Sequence, residues 1–149
     1  MTATPVSILW RRLDLEGHDG CLLSRTDSRH SLEGQAIFIQ DDKPCCLAYR
    51  VDCDTGWRTQ SARVNGFLGG NRLHHAIERD SDGRWMLNGE PQHDVTGLID
   101  VDLGFTPRVE SACDPPVRSW HRRNDVLSGC LPDLSQTGTG ASRTDLSAS

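Results

Sequence analysis

Basic charge is scarce in this chain. Across 149 residues, Lys and Arg number 16 against 21 Asp and Glu, a formal net charge of -5. Nucleic acid and anionic membrane surfaces both select a basic footprint, so neither fits as a partner. Long apolar runs are missing too, and no segment approaches the roughly 18 apolar residues of a membrane-spanning helix. Met1 to Ser7 has neither the basic start nor the apolar stretch of a secretion signal. These absences point to the cytoplasm. The six cysteines, Cys21, Cys45, Cys46, Cys53, Cys113 and Cys130, contain no C-x-x-C pair. In a reducing compartment disulfides are rare, so they are expected as free thiols. Aromatic residues make up 5% and hydrophobic residues 36%. That is a lean composition for a large dry core, and the length suits one domain.

Signatures of catalysis are missing as well. There is no G-x-S-x-G motif, and Gly69-Gly70 is not followed by the Lys-Ser/Thr of a phosphate loop. His74 and His75 are adjacent on the strand expected over Leu73–Arg79, so their side chains point to opposite faces and cannot readily share one ion. Cys45 and Cys46 have the same problem. A zinc site would need His75 to meet Cys53 or His93 across strands. No cofactor and no metal are expected.

What the chain does have is a ladder of short strands. Ile8–Asp14, Cys21–Thr26, Leu32–Gln40, Cys45–Cys53, Trp57–Phe67, Leu73–Arg79, Trp85–Leu87 and Leu98–Leu103 read as strands. Between them lie turn residues: Glu16–Gly20, Asp27–His30, Asp41–Pro44, Asp54–Gly56, Gly69–Asn71, Asp80–Gly83 and Asn88-Gly89. Asn88-Gly89 is a strong type I′ signal. The best pattern is Cys45–Cys53, where Leu47, Tyr49 and Val51 share one face and Ala48, Arg50 and Asp52 the other. On the returning strand, Thr59 and Arg63 are expected on the face of Trp57. Strands at intervals of roughly ten residues with turns between them indicate an all-β antiparallel fold. The expected form is a curved meander, either a β-roll or a half-open barrel. From Arg108 the periodicity stops, and the last fifteen residues are almost all small or polar, a composition of disorder.

Three segments resemble a bacterial family described as glycolipid-binding. Trp10-Arg11-Arg12-Leu13 is similar to its opening strand. Leu47–Asp52 with Trp57–Gly66 is similar to its central hairpin. Gly97-Leu98-Ile99-Asp100-Val101-Asp102-Leu103-Gly104-Phe105-Thr106-Pro107 is similar to its signature segment. The resemblance runs from about Ile8 to Pro107. It implies a fold related to the half-open barrels of lipoprotein carriers. It also implies a non-catalytic protein that holds an acyl chain on a concave apolar face, with polar rim residues on the head group.

On that basis Tyr49, Trp57, Arg58, Arg63, Phe67, Asp100 and Asp102 are the candidate ligand-binding residues. Leu47, Val51, Leu73, Ile77 and Trp85 would extend the lining, and Arg50 and Arg72 the rim. A lipid or glycolipid is the expected partner. The alternative is a small enzyme that uses Asp100 and Asp102, paired on one strand face, on an amphipathic substrate. Paired carboxylates can also bind a hard cation, but a solvated face or an arginine partner is the simpler reading.

In that family the segment continues past Phe-Thr-Pro into an Asn-containing loop and an "IR-x-L-D-L" strand. Here Arg108-Val109-Glu110-Ser111 follows instead. Read one base later with suitable GC-rich codons, Arg108 to Arg122 becomes AWNRRAIRPFDLGIG, which contains the Asn, the Ile-Arg and the Asp-Leu. The expected organisation is a β-roll domain over 5–107 and a disordered or frame-shifted tail over 108–149. A roll without its last strands has an unpaired edge that a homodimer would cover. Such a truncated product could also lack a function of its own. Sequencing the gene from the codon for Leu103 to the stop tests the frame.

Overall fold

The computed structural model describes residues 4–13, 16–105 and 126–127. Eight strands form one antiparallel sheet in strict chain order: β1 (Val6–Arg11), β2 (Gly17–Arg25), β3 (His30–Gln40), β4 (Lys43–Cys53), β5 (Thr59–Leu68), β6 (Asn71–Arg79), β7 (Trp85–Leu87) and β8 (Glu90–Gln92). The expected all-β antiparallel meander is what the chain adopts, and the sheet is not closed into a barrel.

Local chemistry explains the tight turns. Three hairpins turn on two residues, each with positive φ at both central positions: Asp41-Asp42, Gly69-Gly70 and Asn88-Gly89. That geometry matches the twist of the strands it joins. Gly69-Gly70 and Asn88-Gly89 adopt it cheaply. Asp41-Asp42 is the less usual pair, tolerated because short polar side chains visit the left-handed region more readily than others do.

The alternation sets the layers. On β4, Cys45, Leu47, Tyr49, Val51 and Cys53 are buried, and the residues between them are at least partly exposed. Cys21 and Leu23 of β2, Leu32, Ala36 and Phe38 of β3, Ala62 and Val64 of β5, and Ile77 of β6 extend the same buried layer. The outer face carries Leu22, Ile37 and Phe67 among polar neighbours.

Several strand ends shift by two or three residues, and the short β8 was not read as a strand; two larger differences from the sequence reading remain. Gly17–Gly20 is not a turn but the start of β2. Gly17 is needed there because a Cβ would lie 2.5 Å from Cβ of Phe38. Its role is close approach, which a turn signal mimics. The segment Leu98–Leu103 is not a strand of the sheet. Only Asp100–Val101 (β9) is extended as a strand, and it pairs in parallel with Val126–Leu127 (β10). A single 3-10 turn, His93–Val95, precedes it. The tail expectation for 108–149 falls outside the described residues apart from β10. Among the described residues, no helix is long and apolar enough to cross a membrane.

Candidate functional site

The signature segment lies against the buried face of the sheet. Trp85 Nε1 donates to the Leu98 carbonyl at 3.0 Å, and the Thr59 N–H donates to the Ile99 carbonyl at 3.0 Å. From there Val101, Leu103 and Phe105 are each buried. Phe105 stacks on Phe38 with ring centroids 6.3 Å apart and meets Tyr49 edge-on at 5.9 Å. The segment therefore spans from β7 and the start of β5 to β3 and β4, covering part of the apolar layer.

A bulge makes this docking possible. The register between β4 and β5 shifts after Asp52, which pairs with Ser61, while Cys53 pairs with Thr59. Gln60 is the extra residue. Thr59 and Ala62 are consequently both buried, whereas Arg63 stands outside. The expectation that Thr59 and Arg63 share a face is corrected by this bulge. The buried Thr59 hydroxyl donates to Asp100 Oδ1 at 2.5 Å, and the Val101 N–H donates to the same oxygen at 2.8 Å. Asp102 accepts the Gly104 N–H at 2.9 Å. Asp100 is buried and Asp102 half-buried, each engaged in shaping the segment that carries it.

The other candidates scatter. Tyr49 is buried, and its hydroxyl meets both carboxylate oxygens of buried Asp19, at 2.9 and 3.0 Å. Gly34 makes room for that hydroxyl, since a Cβ there would lie 2.5 Å from it. Phe67 stands on the opposite face from Tyr49, next to Cys46 and Arg72 across the strands. Arg63 is outside too, opposite Arg50 and Ala76. Arg50 is occupied by Glu33 and Asp52, both at 3.0 Å. Arg58 is exposed in the β4–β5 loop, where Asp54 Oδ1 accepts its N–H. Trp57 sits in that loop at φ +64, outside β5, stacked on His30 with the Arg25 guanidinium over it. The structure thus brings Tyr49 and the Asp100 segment onto one face, and leaves Phe67, Arg58 and Arg63 elsewhere.

Asp19, Thr59 and His75 are the buried polar groups, among the described residues, that sequence reasoning did not place in a site. Asp19 was hidden in an apparent glycine turn. His75 was read as a strand residue alternating with Leu73 and Ile77 and weighed only as a zinc ligand. Tyr49→Phe removes a donor to the buried Asp19 carboxylate, an interaction class worth about 1.5–3 kcal/mol. Urea denaturation is expected to show a loss of about 2 kcal/mol. An unchanged midpoint would mean that the bond contributes nothing net.

Thiol chemistry finds no support here. Cys21, Cys45 and Cys46 carry free thiols, and burial pushes the Cys21 thiol up, away from the thiolate. Among the described residues, no cluster of three or more His, Cys, Asp or Glu could hold a metal ion.

His75 is held below its ordinary value of 6.5, first by burial and second by neighbouring His74. As pH falls through that value, the unfolded chain takes up the proton before the folded one does. This part of the stability is therefore present above pH ~6.5 and is lost as the pH drops. Comparing denaturation at pH 7.5 and 5.5, the wild type is expected to lose more stability than His75→Phe. Equal losses would show that His75 does not titrate differently in the two states.

The chain is thus an open antiparallel meander whose apolar face is crossed in part by the segment 98–105. The chain belongs to the family described as "Putative glycolipid-binding", whose family model matches residues 7–113. No match to the chain was found among curated proteins or among solved structures.

Proposed function

We propose that this protein binds a lipid or glycolipid without transforming it, holding the acyl chain against the apolar layer of the sheet. The observation that carries the reading is the margin of that layer. Leu68, Leu73, Leu87, Val95 and Leu98 pack against the core yet keep part of their surface exposed. The segment through Val101, Leu103 and Phe105 covers another part of the layer, so an acyl chain would lie beside that segment.

Each buried methylene is worth about 0.8 kcal/mol. A twelve-carbon chain buried over most of its length would supply on the order of 8 kcal/mol before the cost of association. That range supports a reversible carrier or sensor. Membership of the family supports the lipid class of the ligand. The outer-face arginines are poor candidates for the head group, because they lie across the sheet from the apolar layer. The aspartates support no enzymatic reading, since each carboxylate accepts backbone or hydroxyl protons of its own surroundings.

Solvent extraction of the purified full chain, followed by mass spectrometry, is expected to release a lipid in stoichiometric amount. Calorimetry of the extracted protein with glycerol monolaurate is expected to show saturable binding. A clean extract together with no heat of binding would overturn the proposal.

A further inference from the structure

We infer that the Nε2–H of His75 is the donor that grips an uncharged carbonyl oxygen, ester or amide, at the junction between an acyl chain and its head group. The inference rests on the lipid-binding reading above and specifies its polar contact.

The tautomer follows from Asn88. This residue opens the turn after β7 with φ +52. Its backbone N–H donates to the Ala76 carbonyl at 2.7 Å, and its side-chain Oδ1 accepts the Ala76 N–H at 2.8 Å. The amide is thereby oriented with its oxygen on Ala76. Its NH2 group lies 3.4 Å from Nδ1 of His75. An amide NH2 can only donate, so Nδ1 accepts and a neutral ring carries its proton on Nε2.

That Nε2–H is buried and has no acceptor among the described residues. The whole residue is only 9% exposed. A buried donor left unsatisfied is costly, and native proteins keep few of them. A ligand oxygen would remove that cost on binding.

The surroundings select the kind of oxygen. Val64 lies directly across the strand pair, and Leu73 and Ile77 flank His75 on the same face. One neutral donor among aliphatic side chains cannot offset the burial of a phosphate or carboxylate. His74 lies on the other face, bonded to Asn65. His75 is two residues inward from half-buried Leu73, about 7 Å along the strand. An oxygen attached to the start of an acyl chain suits that depth.

Two probes with the same twelve-carbon chain separate the possibilities: glycerol monolaurate, which has the ester carbonyl, and 1-O-dodecylglycerol, which lacks it. In the full chain labelled with 15N-histidine, long-range NMR is expected to show the Nε2–H tautomer of His75. Adding monolaurate should shift the Nε2 resonance, and the ester should bind about fivefold tighter than the ether. His75→Phe should abolish that preference while still binding both. The wild-type shift requires no variant, so a poorly folding substitution leaves the test intact. An Nδ1–H tautomer, or monolaurate bound with no shift at His75, would overturn this inference and leave the lipid-binding reading standing. Failure of both probes to bind would remove both.

Discussion

Gly66→Ala is expected to destabilise the protein by about 4 kcal/mol, a large fraction of the 5–15 kcal/mol that holds a typical domain. Gly66 lies within β5, paired with Leu47 on one side and Leu73 on the other. Its φ is +150, a conformation that side chains rarely adopt. That backbone alone costs an alanine on the order of 1–3 kcal/mol. The larger difficulty is space, because an added Cβ would lie 2.0 Å from the Cys46 carbonyl oxygen and 3.1 Å from the Leu47 Cα. Both are main-chain atoms of β4, so no side chain can rotate away. Strand β4 must move, and with it the fully buried Leu47. Gly70→Ala is the matched control. It also has positive φ, +95, but nothing lies within 4 Å of its added Cβ. It should cost only about 1 kcal/mol. Urea denaturation of both variants checks the argument. Equal losses would mean that β4 and β5 do not approach this closely at Gly66.

The fold was legible wherever one period held. The alternation of Cys45–Cys53 predicts its buried and exposed sides, and Gly69-Gly70 and Asn88-Gly89 predict tight hairpins. Legibility ended where a residue plays two roles. Gly17 and Gly20 read as a turn, yet Gly17 is a contact point inside a strand, so Asp19 between them is hidden. Thr59 and Arg63 read as sharing the face of Trp57, and nothing in their residue types reveals the bulge at Gln60 that turns Thr59 inward. Phe67 reads as lining because it is aromatic, but its parity with Arg63 places it outside. The signature segment was visible as a motif and mistaken for an ordinary strand. Its apolar residues at 101, 103 and 105 alternate as a sheet strand's would. Only the tertiary contacts show that the alternation serves to cover the sheet's apolar face.

Phe105→Ala is the sharpest test of that covering role, with an expected loss of about 3 kcal/mol. Truncating a buried phenylalanine typically costs 3–5 kcal/mol through lost transfer energy and the cavity left behind. The ring stands between Phe38 and Tyr49, and the Arg12 guanidinium sits 5.1 Å from the Phe38 ring. Tyr49 is the only tyrosine in the chain, so it reports without ambiguity. Its ring-proton resonances should move when the neighbouring aromatic ring is removed. The vacated space borders the apolar layer proposed to take an acyl chain. Glycerol monolaurate should therefore restore more stability to Phe105→Ala than it adds to the wild type, because the lipid tail can fill the gap. A loss under about 1 kcal/mol with unmoved Tyr49 resonances would show that Phe105 does not cover the sheet. A normal loss without extra rescue by monolaurate would keep the covering role and place the acyl chain away from this end of the layer.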